Sequence, residues 1–167
     1  MSKGLVYSSV LVMLLFVPMV YGQQTGGAAT STSTCNLEDG RQVYIRYVPV
    51  PGNKEKIANG KPWMPGGTAM TLFTEAPLNL GSSLIPIGAY TVYPIPARDH
   101  WTLAVNKNVS TGAAYDEKSD LARAPMETAQ VPQPADALEV AFAHVGSRCT
   151  LRIYYGKSAA FVDFFAK

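Results

Sequence analysis

The chain has 167 residues, which suits one domain, and 14 basic against 12 acidic residues give a formal charge of +2. So even a balance lacks the basic patch or stripe of a nucleic-acid-binding protein. Only 16% of residues are charged and 47% are hydrophobic, with 12 Pro and 14 Gly spread along the chain, which excludes a disordered chain and points to a loop-rich globular domain.

The N-terminus reads as an export signal. Lys3 precedes an apolar run from Leu5 to Val20, and Val20-Tyr21-Gly22 fits a cleavage site. Residues 1–22 are therefore expected to be a signal peptide. The run is shorter than the ~20 residues of a membrane span, so no stable span is expected after cleavage. No Cys directly follows the run, which argues against a lipid anchor. The stretch "QQTGGAATSTST" (residues 23–34) is polar and of low complexity, and a flexible spacer is expected there. Residues 35–167 form the single expected domain, placed in the periplasm or outside the cell. Two cysteines remain in it, Cys35 and Cys149. In an exported protein their even number points to one disulfide. Neither has a second Cys or His at ligand spacing, so no metal site is expected.

Strands dominate the domain. "RQVYIRYV" (residues 41–48) alternates, with Val43, Ile45 and Tyr47 on one face, and Pro49, Pro51 and Gly52 end it. "TAMTLFT" (residues 68–74) is the next strand. "GAYTVYPI" and "HWTLAVN" are separated by Pro96-Ala97-Arg98-Asp99, whose turn chemistry predicts a hairpin. Trp101, Leu103 and Val105 share a face of the second strand, so Trp101 is expected inside and His100 outside. Residues 116–129 can hold a short helix or an irregular crossing, limited by Pro125. Three further strands, "ALEVAFAHV", "CTLRIYY" and "AAFVDFF", are joined by Gly146-Ser147-Arg148 and Gly156-Lys157-Ser158, both suited to short hairpins. About seven or eight short strands and almost no helical periodicity predict an all-β fold. An antiparallel β-sandwich, jelly-roll-like, is the expected architecture, with a flattened barrel as the alternative.

Several segments carry a resemblance. "KIANGKPW" looks like a Gly-Arg-Lys-Ile segment leading to a Trp, and Trp63, Gly66 and Thr71 fit a Trp-Arg-x-Gly-Ala-Asn-Glu-Ala-Thr motif. "PIGAYTVYPIP", "WTLAVNK", "GAAYDEKSDLAR" and "TLRIYYGKSAAFVDF" come next in matching order. Residues 36–165 thus resemble the bacterial family known as domain of unknown function 2911, of which this chain reads as a divergent member. The resemblance implies an exported β-rich domain and no particular activity. The chain departs from the motif in one place: Met64, Thr68 and Ala69 stand where its Arg, Asn and Glu fall, and the loop before Trp63 is shorter.

The candidate site residues are Trp63, Asn106, Tyr115, Asp116, Asp120 and Arg123. Trp63, between Pro62 and Met64-Pro65, is either an exposed aromatic platform or a plug at one end of the core. "YDEKSDLAR" is the richest polar cluster. Asp116, Glu117 and Asp120 can ligate a hard cation, or cap a turn and pair with Lys118 and Arg123. Asn106 ends a strand, where a left-handed turn is a sufficient structural reason for it. The Asn108-Val109-Ser110 sequon matters only in a glycosylating pathway. No nucleophile elbow, phosphate loop or dinucleotide fingerprint is present. The expected function is therefore an exported, non-enzymatic binding or structural module for a cell-envelope component or another protein, with no catalytic residues and no cofactor. The alternatives are a glycan hydrolase using carboxylates near residues 115–120, which predicts two carboxyl groups facing each other in a cleft, and a small-molecule carrier with a cavity in its core.

Overall fold

The computed structural model describes residues 29–52, 54–98 and 100–167. The expected signal peptide and its cleavage site lie outside the described residues, as do most of the expected spacer and Asp99 of the hairpin turn. The described residues form nine strands and no α-helix: β1 (Ser31–Asn36), β2 (Gln42–Tyr47), β3 (Met70–Thr74), β4 (Leu78–Leu80), β5 (Ser83–Ile85), β6 (Gly88–Ile95), β7 (Trp101–Asn106), β8 (Asp120–Val145) and β9 (Arg148–Ala166). They pair in the order β1-β2-β3-β6-β7-β8-β9-β4-β5 as one antiparallel sheet. The expected all-β antiparallel fold is thus present.

Alternation sets which face each strand buries. In β2, Val43 and Ile45 are fully buried while Gln42 and Arg46 are exposed. In β7, Trp101, Leu103 and Val105 enter the main core, as their spacing predicts. His100 is exposed. Burial of a Val or Leu side chain stabilises by roughly 1.5–3 kcal/mol, so three inward residues per strand outweigh strand propensity as the organising force. Ser31–Thr34 differ from expectation. Instead of ending a spacer they pair with residues 44–47 of β2, which delivers Cys35 to the core.

Two long strands turn the sheet over its core. Thr150 and Asp163 both belong to β9 and lie 13 residues apart, yet the Thr150 hydroxyl donates to Asp163 Oδ1 at 2.5 Å. Thirteen extended residues would span roughly 43 Å, so β9 must reverse. It does so at Gly156, whose φ is +55°, inside the hairpin expected at residues 156–158. The Ala166 amide accordingly donates back to the Ser147 carbonyl at 2.8 Å. β8 shifts register twice between Gln130 and Glu139, around Pro132 and Pro134, which have no ladder donor. The connection after β2 braces this bend. The Gly52 amide donates to the Asp136 carbonyl and the Leu138 amide to the Val50 carbonyl, each at 2.7 Å. A Cβ on Gly52 would lie 2.1 Å from the Ala135 carbonyl oxygen, so only glycine fits there. Cys35 on β1 and Cys149 on β9 form the expected disulfide, both buried, which joins distant strands of the sheet across one core.

Residues 116–129 resolve the other open expectation. A single 3-10 turn, Glu117–Ser119, leads straight into β8, and Pro125 is accommodated opposite Thr102. Asp116 caps that turn by accepting from the Lys118 amide.

Candidate functional site

The outer face of the β3-β6-β7 region is not left to water. Tyr93, Ile95 and Ala104 form a second small apolar cluster there, with Met64, Ala69 and Tyr115 packed against it. A loop over residues 107–119 lies across this face. Its ends meet where the Lys107 amide donates to the Ser119 carbonyl at 2.9 Å. It is a compact surface loop closed at its base, the geometry of an Ω-loop.

Five of the six predicted site residues fasten this loop. Asn106 Nδ2 donates to the Asp116 carbonyl and to Asp120 Oδ1, both at 2.8 Å. The Tyr115 hydroxyl donates to Asp120 Oδ2 at 2.6 Å. Arg123 Nε stands 3.7 Å from the same oxygen, and its guanidinium also meets the Glu117 carboxylate. The Asp120 side chain is 6% exposed, and three partners converge on its carboxylate. Burial and the Asp120 carboxylate push the Tyr115 phenol well above the usual tyrosine range. Tyr115 also meets Tyr93 edge to face, with ring centroids 4.9 Å apart. Upstream, the Thr91 hydroxyl donates to the Asn108 carbonyl at 2.8 Å, and Asn106 Oδ1 accepts from the Asn108 amide at 2.9 Å.

One expectation needs correction, and one open alternative is decided. Asn106 is not in a left-handed turn; no described non-glycine residue has positive φ. It is a buried strand residue, and its amide group is used as a double donor. Trp63 is not an exposed platform. It is 7% exposed within the main core, against Tyr155 at 4.8 Å and Trp101 at 6.3 Å between centroids. The plug reading therefore holds. Trp63 points into the core while its neighbour Met64 joins the outer cluster, so the six predicted residues do not form one site.

Glu55 is the residue that sequence reasoning missed. Its Oε2 accepts from Trp63 Nε1 at 2.9 Å and its Oε1 from the Gly66 amide at 2.7 Å. The Tyr155 hydroxyl accepts from the Glu55 amide at 2.8 Å. These bonds hold the turn Pro65–Gly67 in place. No spacing rule links an acid to a Trp eight residues later, so nothing in the sequence marked Glu55.

Between that turn and the loop lies a groove of about 310 Å³. One wall is Met64, Thr68, Ala69 and Thr71, the floor includes Tyr93, and the other wall is residues 109–114 of the loop. Met64, Thr68 and Ala69, the three positions that depart from the polar motif, all line it. The carboxylates near the groove are not free. Asp120 is held by Asn106, Tyr115 and Arg123, and Asp116 accepts from the Lys118 amide and the Ser119 hydroxyl.

The match to known proteins extends over the same domain. The family model described as Protein of unknown function (DUF2911) matches residues 36–164. The chain belongs to the DUF2911 family. No curated protein and no solved structure matches it. The family match covers all of the loop and both walls of the groove. Among the described residues of this family member, no helix is long and apolar enough to cross a membrane.

Proposed function

We propose that this DUF2911 protein is an exported, non-enzymatic binding module of the cell envelope, and that its ligand site is the groove between Met64–Thr71 and Val109–Ala114. The observation that carries this reading is the fastened loop. Asn106, Tyr115, Asp116, Asp120 and Arg123 spend their polar groups on holding one wall beside an open groove. A site prepared in this way binds without first ordering a loop, and so avoids that entropic cost. Export is supported by the N-terminal sequence and by a buried disulfide, which persists in oxidising compartments.

The glycan hydrolase reading lacks its reagents. A general acid and a base or nucleophile must face a common cleft, whereas Asp116 and Asp120 are both satisfied within the chain. The interior-carrier reading meets a core filled by large, fully buried side chains, among them Phe164, Met70, Leu72 and Leu103.

Recovery of the protein from a bacterial periplasm, with N-terminal sequencing and a methyl-resolved NMR screen against small molecules, tests both parts. Export predicts a new N-terminus at Gln23. The binding reading predicts that hits shift the methyl groups of Met64, Ala69 and Ala113 together. An uncleaved cytoplasmic product would overturn the first part, and hits confined to other surfaces the second.

A further inference from the structure

We infer that the groove selects an uncharged ligand, a small molecule or ligand moiety with an apolar body and a hydroxyl end; the inference rests on the binding role proposed above. The walls of the groove supply a thioether, small methyl groups and an aromatic ring, from Met64, Ala69, Val109 and Tyr93. Their side-chain polar groups are hydroxyls, those of Thr68, Thr71, Ser110, Thr111 and Tyr93. Among the described residues, no Asp, Glu, Lys, Arg or His lines the groove. The carboxylate of Asp120 is occupied within the chain, by Asn106, Tyr115 and Arg123.

These facts exclude charge by solvation. An ionised ligand entering the groove gives up water and meets no opposite charge, so its desolvation is not offset. A hydroxyl meets donors and acceptors of its own kind, and an aliphatic body gains by leaving water. The groove also lies at the small end of the ~300–1,000 Å³ range of small-molecule sites. The motif that the chain resembles carries Arg, Asn and Glu at the positions of Met64, Thr68 and Ala69. With those residues the same groove would be charged. Their replacement here changes the class of ligand it admits.

A matched set of three probes tests this: 1-octanol, octanoate and octylammonium at pH 7, titrated into the disulfide-bonded protein without its first 22 residues. The readout is the methyl shifts of Met64, Ala69 and Ala113. Octanol is expected to bind there, and both ions about tenfold or more weakly. Ala69→Glu, which brings a carboxylate to the wall, is expected to weaken octanol and admit octylammonium. Thr68→Asp, on the exposed turn, serves if Ala69→Glu does not fold. Equal binding of all three probes, or preference for an ion, overturns the inference while the binding role stands. No shift at these methyls with any probe overturns the binding role and the inference with it.

Discussion

Asp120 is a carboxylate in a buried position whose oxygens are met from within the chain, by Asn106, Tyr115 and Arg123. Removing one member of such a set leaves the others unpaired, which costs more than the bond itself. Asp120→Ala is expected to destabilise the domain by about 2–3 kcal/mol in urea unfolding. An effect below about 0.5 kcal/mol, the size of a surface substitution, would mean that the cluster is exposed and idle. Tyr115 adds a pH dependence. The fold favours the protonated phenol, so the folded state keeps a proton that the unfolded chain releases near pH 10. The stability gained is complete below about pH 10 and is lost as pH rises above it. Thermal midpoints between pH 8 and 11 should fall more steeply for the native protein than for Tyr115→Phe. Some slope remains in that variant, because burial also raises Tyr90. Parallel curves would contradict the Tyr115–Asp120 bond. The sequence marked these residues as a polar cluster but could not distinguish a cation site from a fastening. That difference depends on Asn106, which reaches the cluster only after the loop closes over the sheet.

At the level of elements, legibility tracked the strength of alternation. β2, β6 and β7 were visible because β-branched, aromatic and Leu residues recur at every second position, and tertiary burial rewards that pattern. β1 was not, since "STSTCN" offers one apolar residue and borrows its order from pairing with β2. β4 and β5, three residues each, are too short to show a period. The first half of β8 was hidden by Pro125, which reads as a breaker in isolation. The turn Pro65–Gly67 depends on Glu55, and this yields another expectation. Glu55→Ala leaves the Trp63 indole N–H and the Gly66 amide without their acceptor, at a cost of about 1–3 kcal/mol. Trp63→Ala removes a large buried side chain and should cost about 3–5 kcal/mol. Denaturant midpoints measure both. Had Trp63 been a binding platform, its loss would spare stability.

Across the whole molecule, the disulfide spans 114 residues and joins β1 to β9. The chain-entropy account gives such a closure about 4–5 kcal/mol. Replacing Cys35 and Cys149 by Ala should lower the denaturant midpoint and steepen the slope, because the freed unfolded chain is less compact. A midpoint that does not move would show that the core alone sets stability. The larger arrangement, in which one sheet closes over its core and a single loop covers part of the outer face, was not legible. The reversal of β9 at Gly156 was legible from its turn residues; what was not is the bend of β8 between Gln130 and Glu139, which is braced by the distant segment Val50–Gly52. The groove itself was not legible; the sequence marked only three departures from a polar motif, at Met64, Thr68 and Ala69, which the fold brings to one wall.

On this reading, the Asp120 cluster fastens the wall of the groove. Amide hydrogen exchange of Lys107, Asn108, Ser110 and Lys118, compared between the native protein and Asp120→Asn, tests it most directly, because these amides bond within the loop or at its base. Slow exchange is expected in the native protein and a marked loss of protection in the variant, confined to the loop, with the strands of the sheet unchanged. Equal exchange at these amides in both proteins would contradict it, because the loop would then hold its place without Asp120.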